Sequence, residues 1–217
     1  MAAPVLTGNS KKRDPADLTR LVADIRACTL CAPHFAHQPR PVLQVSATAR
    51  IGIFGQAPGT RVHASGRPFT DPSGDRLRIW MGVDEAFFYD ASKVAIVPMG
   101  FCFPGQNHKG ADLPPRPECA QTWRAPLMDH LAQLDLILLV GLYAQRWHLG
   151  AGAARTLTQT VANWRDFGPR FIPMPHPSWR NNAWLARNRV FENEIIPVLR
   201  QRITQIRAHD PARPGNP

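Results

Sequence analysis

Long apolar runs are missing from this sequence, and with them any segment able to cross a membrane as a helix, which takes roughly 20 such residues. Residues 1–20 also lack the apolar centre of a secretory signal, so the expected setting is the cytoplasm. No internal repeat is visible, which sets aside repeat architectures. Lysine is scarce: of 26 basic residues only Lys11, Lys12, Lys93 and Lys109 are lysines, and the rest are arginines. Carboxylates are few too, with 16 Asp plus Glu leaving a formal net charge of +10. That balance favours a polyanionic partner, because the guanidinium fork matches phosphate and the summed field draws it in. Codon composition also raises arginine content, so charge alone points to nucleic acid without saying which kind.

What is present reads as an α/β chain. Strand-length apolar runs at 51–54, 94–99, 136–140 and 171–174 alternate with helical spacing at 17–28, 75–81, 120–133 and 188–206, with a further turn at 85–89 and a kink or restart at Pro197. Alternation of this kind predicts a three-layer α/β/α fold around a central, mostly parallel four-stranded sheet. At 217 residues the core needs no disulfide support. One domain is expected over 15–208, with a flexible arm at 1–14, a flexible tail at 209–217, and a monomeric state. The segment 156–168 is too polar to place.

The first strand breaks at once into Gly55-Gln56-Ala57-Pro58-Gly59. Glycine at both ends lets another molecule approach the backbone, and Pro58 fixes a torsion, so the loop suits a rigid pocket floor. Farther on, Gly66-Arg67-Pro68-Phe69 leaves one aromatic between two turns, where no periodicity requires it. Phe69 is therefore a candidate to stack on something flat, with a buried turn aromatic as the plainer reading.

Cys28-x2-Cys31, 70 intervening residues, Cys102, 16 more, and Cys119 account for every cysteine. In a reducing compartment such a set points to a metal site sooner than to disulfides. Tetrahedral thiolate suits zinc or an iron–sulfur cluster, and spacing does not choose between them. Four unrelated buried cysteines are the remaining alternative.

Taken together, G-Q-A-P-G, then G-R-P-F in step with it, the four cysteines, and His176-Pro177-Ser178 after the last strand resemble the uracil-DNA glycosylase superfamily, closest to its iron–sulfur family 4. The resemblance implies DNA repair by excision of uracil from uracil-containing DNA, a [4Fe–4S] cluster on Cys28, Cys31, Cys102 and Cys119, and a pocket built from Gly55, Gln56, Ala57, Phe69 and Asp71. The sequence departs from that pattern in three places. Gln56 replaces a glutamate, Thr60-Arg61-Val62-His63 replaces acidic residues, and Pro98 stands where an asparagine would read the base edge.

Extruding a base costs a few kcal/mol of unstacking, which the pocket must return. Phe69 would stack on the base, and the backbone at Gln56 and Ala57 would meet its polar edge. His176, between Pro175 and Pro177, would donate to the departing anion. Gln56 would position water, with His63 and then Asp71 as candidates to take its proton. Ser178, Trp179, Arg180 and Asn181 would meet DNA, with Trp184 either a wedge in the duplex or core, and Asn107, His108 and Lys109 would lie near the strand. Two other classes fit the same residues: a binding protein for uracil or abasic DNA that turns over poorly, and an iron–sulfur redox sensor.

Overall fold

All four strands are apolar runs buried on both faces, and the structure, a computed structural model describing residues 15–209, joins them in one parallel sheet. In chain order they are β1 (Ile51–Phe54), β2 (Val94–Ile96), β3 (Leu136–Val140) and β4 (Phe171–Met174), and they lie side by side as β2-β1-β3-β4. Ile51 pairs with Val94 on one side and Leu136 on the other, and Ile137 pairs with Phe171. The sheet is all parallel rather than mostly so. The arm at 1–14 and all but the first residue of the tail at 209–217 lie outside the described residues.

Alternate side chains feed two cores. Ile51, Ile53, Leu138 and Met174 enter one, together with Leu77 of α3 (Pro72–Met81), Phe88 of α4 (Glu85–Phe88), Val161 of α7 (Leu157–Ala162), Leu185 of α8 (Asn182–Arg187) and Leu199 of α9 (Ile196–Ala208). Phe54, Ala95, Ile137 and Leu139 enter the other, with Ile25 of α1 (Pro15–Arg26), Leu127 of α5 (Pro117–His130) and Ala144 of α6 (Leu142–Leu149). Helices on both faces give the expected three layers.

Departures from the sequence pattern are local. β2 is three residues long, yet its backbone continues to bond past the strand: the N–H groups of Val97, Met99 and Gly100 donate to Ile53, Gly55 and Gln56 at 2.9, 2.9 and 3.0 Å. Pro197 sits in the first turn of α9 and is preceded by a π-turn at Phe191–Ile195, so it restarts the helix rather than bending it. A short helix, α2 (Thr60–Ser65), buries only Val62 and so shows no helical apolar stripe in the sequence. α7 carries its own signal, Thr156 accepting from the Gln159 N–H at its start. Among the described residues no helix is long and apolar enough to cross a membrane.

His148 on α6 lies 4.7 Å from the Phe54 ring, and burial, aided by the nearby Arg124 charge, pushes its pKa well below the usual histidine value. The unfolded state therefore takes up this proton near pH 6.5 while the folded state resists it, so His148 favours folding above that pH and progressively opposes it as pH falls. The melting temperature should drop between pH 7 and pH 5.5, and His148→Phe should flatten that slope. Thermal melts across the range, parent against variant, check this.

Candidate active site

Parallel α/β sheets place ligands beyond the carboxyl ends of their strands, and this one follows suit. Gly55 to Gly59 leave β1, Pro98 follows β2 and His176 follows β4, and all of them line one cavity of about 570 Å³. Phe69, Asp71 and Asp112 complete its walls.

Phe69 owes its position to an unfavourable backbone. Its φ of 54° makes it the one non-glycine residue in the left-handed region among the described residues, and a bulky side chain is strained there. Two features hold it there. The Tyr89 hydroxyl donates to the Pro68 and Phe69 carbonyls at 2.9 and 3.0 Å, with the Arg67 guanidinium stacked 3.4 Å from the Tyr89 ring centre. Gly74 supplies the space, since a methyl group there would overlap the Phe69 carbonyl. The ring packs edge-on against Phe88, with centroids 6.0 Å apart, and its tip lies near Gly55.

His176 is oriented by its own loop. The Ser178 N–H donates to Nδ1 at 3.2 Å, and Asn181 Nδ2 donates to the His176 carbonyl at 2.7 Å. An accepting Nδ1 leaves the ring proton on Nε2. Burial lowers its pKa, with Asp71 and Asp112 opposing the shift, so the ring is a neutral donor. Ser178 and Asn181 thus serve to brace His176.

Gln56 donates from Nε2 to the Leu113 carbonyl at 3.4 Å, which turns its amide toward the loop that carries Asp112. His63 is not on the cavity wall. It lies on α2 with its ring 4.4 Å from His37 and 5.8 Å from Phe103, and burial together with the His37 and Arg40 charges lowers its pKa. Asp71 is on the wall, as expected. Asp112 is there too, although it was not among the residues the sequence singled out. Its loop carries no periodicity, and the bridge from Gln106 to Asp112 that folds it inward is a tertiary feature.

A family model described as the uracil DNA glycosylase superfamily matches residues 43–200. The chain belongs to that superfamily. The match takes in the cavity lining apart from Val42, together with Cys102 and Cys119, and it begins after Cys28 and Cys31.

In this superfamily member the four cysteines border a second cavity of about 400 Å³, lined by Gly100, Phe101 and Cys102 of the segment whose Pro98 lines the first. Among the described residues no group of three or more His, Cys, Asp or Glu side chains is placed to hold a single metal ion. N–H donors nevertheless point at three of the sulfurs. Trp123 Nε1–H points at Cys28 Sγ at 3.4 Å, the Phe101 N–H at Cys119 Sγ at 3.3 Å, and the Arg40 backbone N–H at Cys102. Without a cation, burial and mutual repulsion push Cys102 up to about 12 and Cys119 to about 11, and burial also raises Cys31. Four thiols with N–H donors aimed at three of them are a donor set that would fit a cationic centre.

At the turn after His176, Trp179 is 68% exposed, with Arg180 5.4 Å above its ring. Arg180 also donates to the Gly110 carbonyl at 3.4 Å, so this turn touches the Asp112 loop. Trp184 is core: it packs against Phe191 and donates from Nε1 to Thr158 at 2.8 Å. Asn107 Oδ1 accepts from the Lys109 and Ala111 N–H groups and shapes its own loop.

Two substitutions check the Phe69 clamp. Gly74→Ala should lose about 1–3 kcal/mol in urea unfolding through overlap with the Phe69 carbonyl. Tyr89→Phe, which removes one hydroxyl, should lose about 1 kcal/mol.

Proposed function

We propose that this glycosylase excises uracil from DNA by hydrolysis, leaving an abasic site, and that its cysteines carry a [4Fe–4S] cluster as in family 4. The observation that carries the reading is a glycine-bounded floor, a fixed aromatic and a neutral histidine donor all lining one cavity at the strand ends. A flipped pyrimidine would stack on Phe69 while the backbone at Gln56 and Ala57 meets its edge. Breaking the N-glycosidic bond leaves its electron pair on the base, and the Nε2–H of His176 would hold that anion. A neutral imidazole suits the task because the product is an anion that needs a hydrogen bond without being protonated.

Cys28, Cys31, Cys102 and Cys119 would hold the cluster, with the Trp123, Phe101 and Arg40 N–H groups directed at three of the sulfurs. When bound it supplies four iron–thiolate bonds, which tie the end of α1 to the 100–119 segment. The resemblance to family 4, and not the cysteine spacing, favours this over zinc.

Single-turnover assays on uracil-containing oligonucleotides test the reading. His176→Ala should lose on the order of 100-fold or more in cleavage rate, as removal of one preorganised donor does elsewhere, with little change in binding. Gln56→Ala should lose less. Cleavage at the parental rate by His176→Ala, or a parent that stops at one strand per protein, would count against it, the latter favouring the binding-protein alternative. Iron and sulfide analysis tests the cluster: the purified protein should be brown, with absorption near 400 nm that disappears in Cys119→Ser. A colourless protein with one zinc would exclude it.

A further inference from the structure

Hydrolysis needs an acceptor for the proton of the attacking water, and the residues already assigned cannot provide one. Nδ1 of His176 is occupied and Nε2 carries the proton that faces the leaving base. The Gln56 amide positions water but takes no proton, and His63 is off the wall, against His37 and Phe103. Two carboxylates remain on the cavity, Asp71 and Asp112.

They are held differently. Asp71 precedes α3, and its side chain makes no capping bond to that helix. Asp112 sits at the exposed mouth on the 104–116 loop, paired in a short antiparallel bridge with Gln106. Gln106 Nε2 donates to Oδ1 at 3.0 Å, which fixes the carboxylate plane. Oδ2 faces the pocket floor, where a methyl group on Gly59 would lie 3.6 Å from it. The next residue, Leu113, offers its carbonyl to the Gln56 amide at 3.4 Å, so amide and carboxylate belong to one wall. The loop that bears Asp112 also meets the DNA-facing turn where Arg180 donates to Gly110. A strand engaged by that turn would therefore bring its sugar to the Asp112 side of the cavity.

We propose that Asp112 is the catalytic base, supplied by the long loop to a motif that has glutamine where a carboxylate is needed. The assignment rests on the glycosylase reading above. In the step it performs, the C1′–N bond breaks and its electron pair leaves on the base, held by His176 Nε2–H. The water oxygen then bonds to C1′, one water proton passes to Asp112 Oδ2, and the carboxyl later returns it to solvent. Gln56 holds the same water from its amide side. The products are the 1′-hydroxyl sugar and the free base anion, which takes a proton from solvent.

The isosteric Asp112→Asn keeps the acceptor for Gln106 and removes the base. In single-turnover excision from a uracil-containing oligonucleotide it should lose about 100-fold or more, the usual share of a general base. It should also lose the acid limb of the pH–rate profile, while its affinity for an oligonucleotide bearing a tetrahydrofuran abasic analogue stays at the parental value. A parental rate in Asp112→Asn, or a loss confined to Asp71→Asn, overturns the assignment and leaves the glycosylase reading intact. Equal losses of binding and rate in Asp112→Asn also overturn it, because a base acts on the step and not on the complex. A parent protein that excises nothing overturns both together.

Discussion

A buried arginine that makes no salt bridge to a carboxylate among the described residues holds the segment that both cavities share. Arg124 is 2% exposed, and it donates to the Val97 carbonyl at 3.2 Å and the Pro98 carbonyl at 2.6 Å, where the chain leaves β2. Burial brings its pKa down to about 10, so it remains charged at neutral pH, and charged donors make the stronger hydrogen bonds. The two carbonyls it holds begin the segment that donates to Gly55 and Gln56 on one side and delivers Cys102 on the other. Burying an unpaired cation is costly, and the structure spends it where a single run of six residues serves two sites. The partial negative charge that Arg124 meets comes from carbonyls and from the cysteine side, where Cys119 raises its pKa against the effect of burial.

Aromatic rings tie the same two regions together by a second route. Phe35, which borders the cysteine cavity, stacks on His37 at 5.2 Å, and His37 stacks on Phe103 at 5.3 Å and touches His63 at 4.4 Å. His63 belongs to α2, which begins right after the pocket floor at Gly59. Its ring is therefore committed to joining α2 to the cysteine side. A histidine in a loop of the right motif looks chemical in the sequence, and the packing sets this ring against His37 and Phe103, off the cavity wall.

Strands were the most legible elements, because a parallel strand buried on both faces must be apolar throughout, and Ile51–Phe54, Leu136–Val140 and Phe171–Met174 have no polar residue to blur their ends. The glycine and proline punctuation around Phe69 was equally readable, since a ring without periodicity has to be explained by something other than core. α2 and Asp112 were not legible, for opposite reasons. α2 buries a single side chain, too few for a pattern, while Asp112 is exposed and acquires its place through contacts with Gln106 and with Gly59 of the floor, which no spacing in its own loop announces. Pairwise contacts of that kind leave no periodic trace. The Trp184 ambiguity was settled by Thr158 and Phe191, which meet its ring only once α7 and α8 are folded.

The left-handed backbone at Phe69 also limits how this cavity can change over generations of sequence drift. Asparagine or glycine would relax the torsion and forfeit the ring, whereas a β-branched residue would sharpen the strain, so few exchanges at that position are neutral. Gly74 and Tyr89 inherit the restriction because each supports that one conformation. New base preferences are then most accessible at Pro98, which lines the same cavity in ordinary backbone and carries no proposed catalytic step. The Phe69 side of the cavity is frozen, and the Pro98 side is where relatives of this protein are free to diverge.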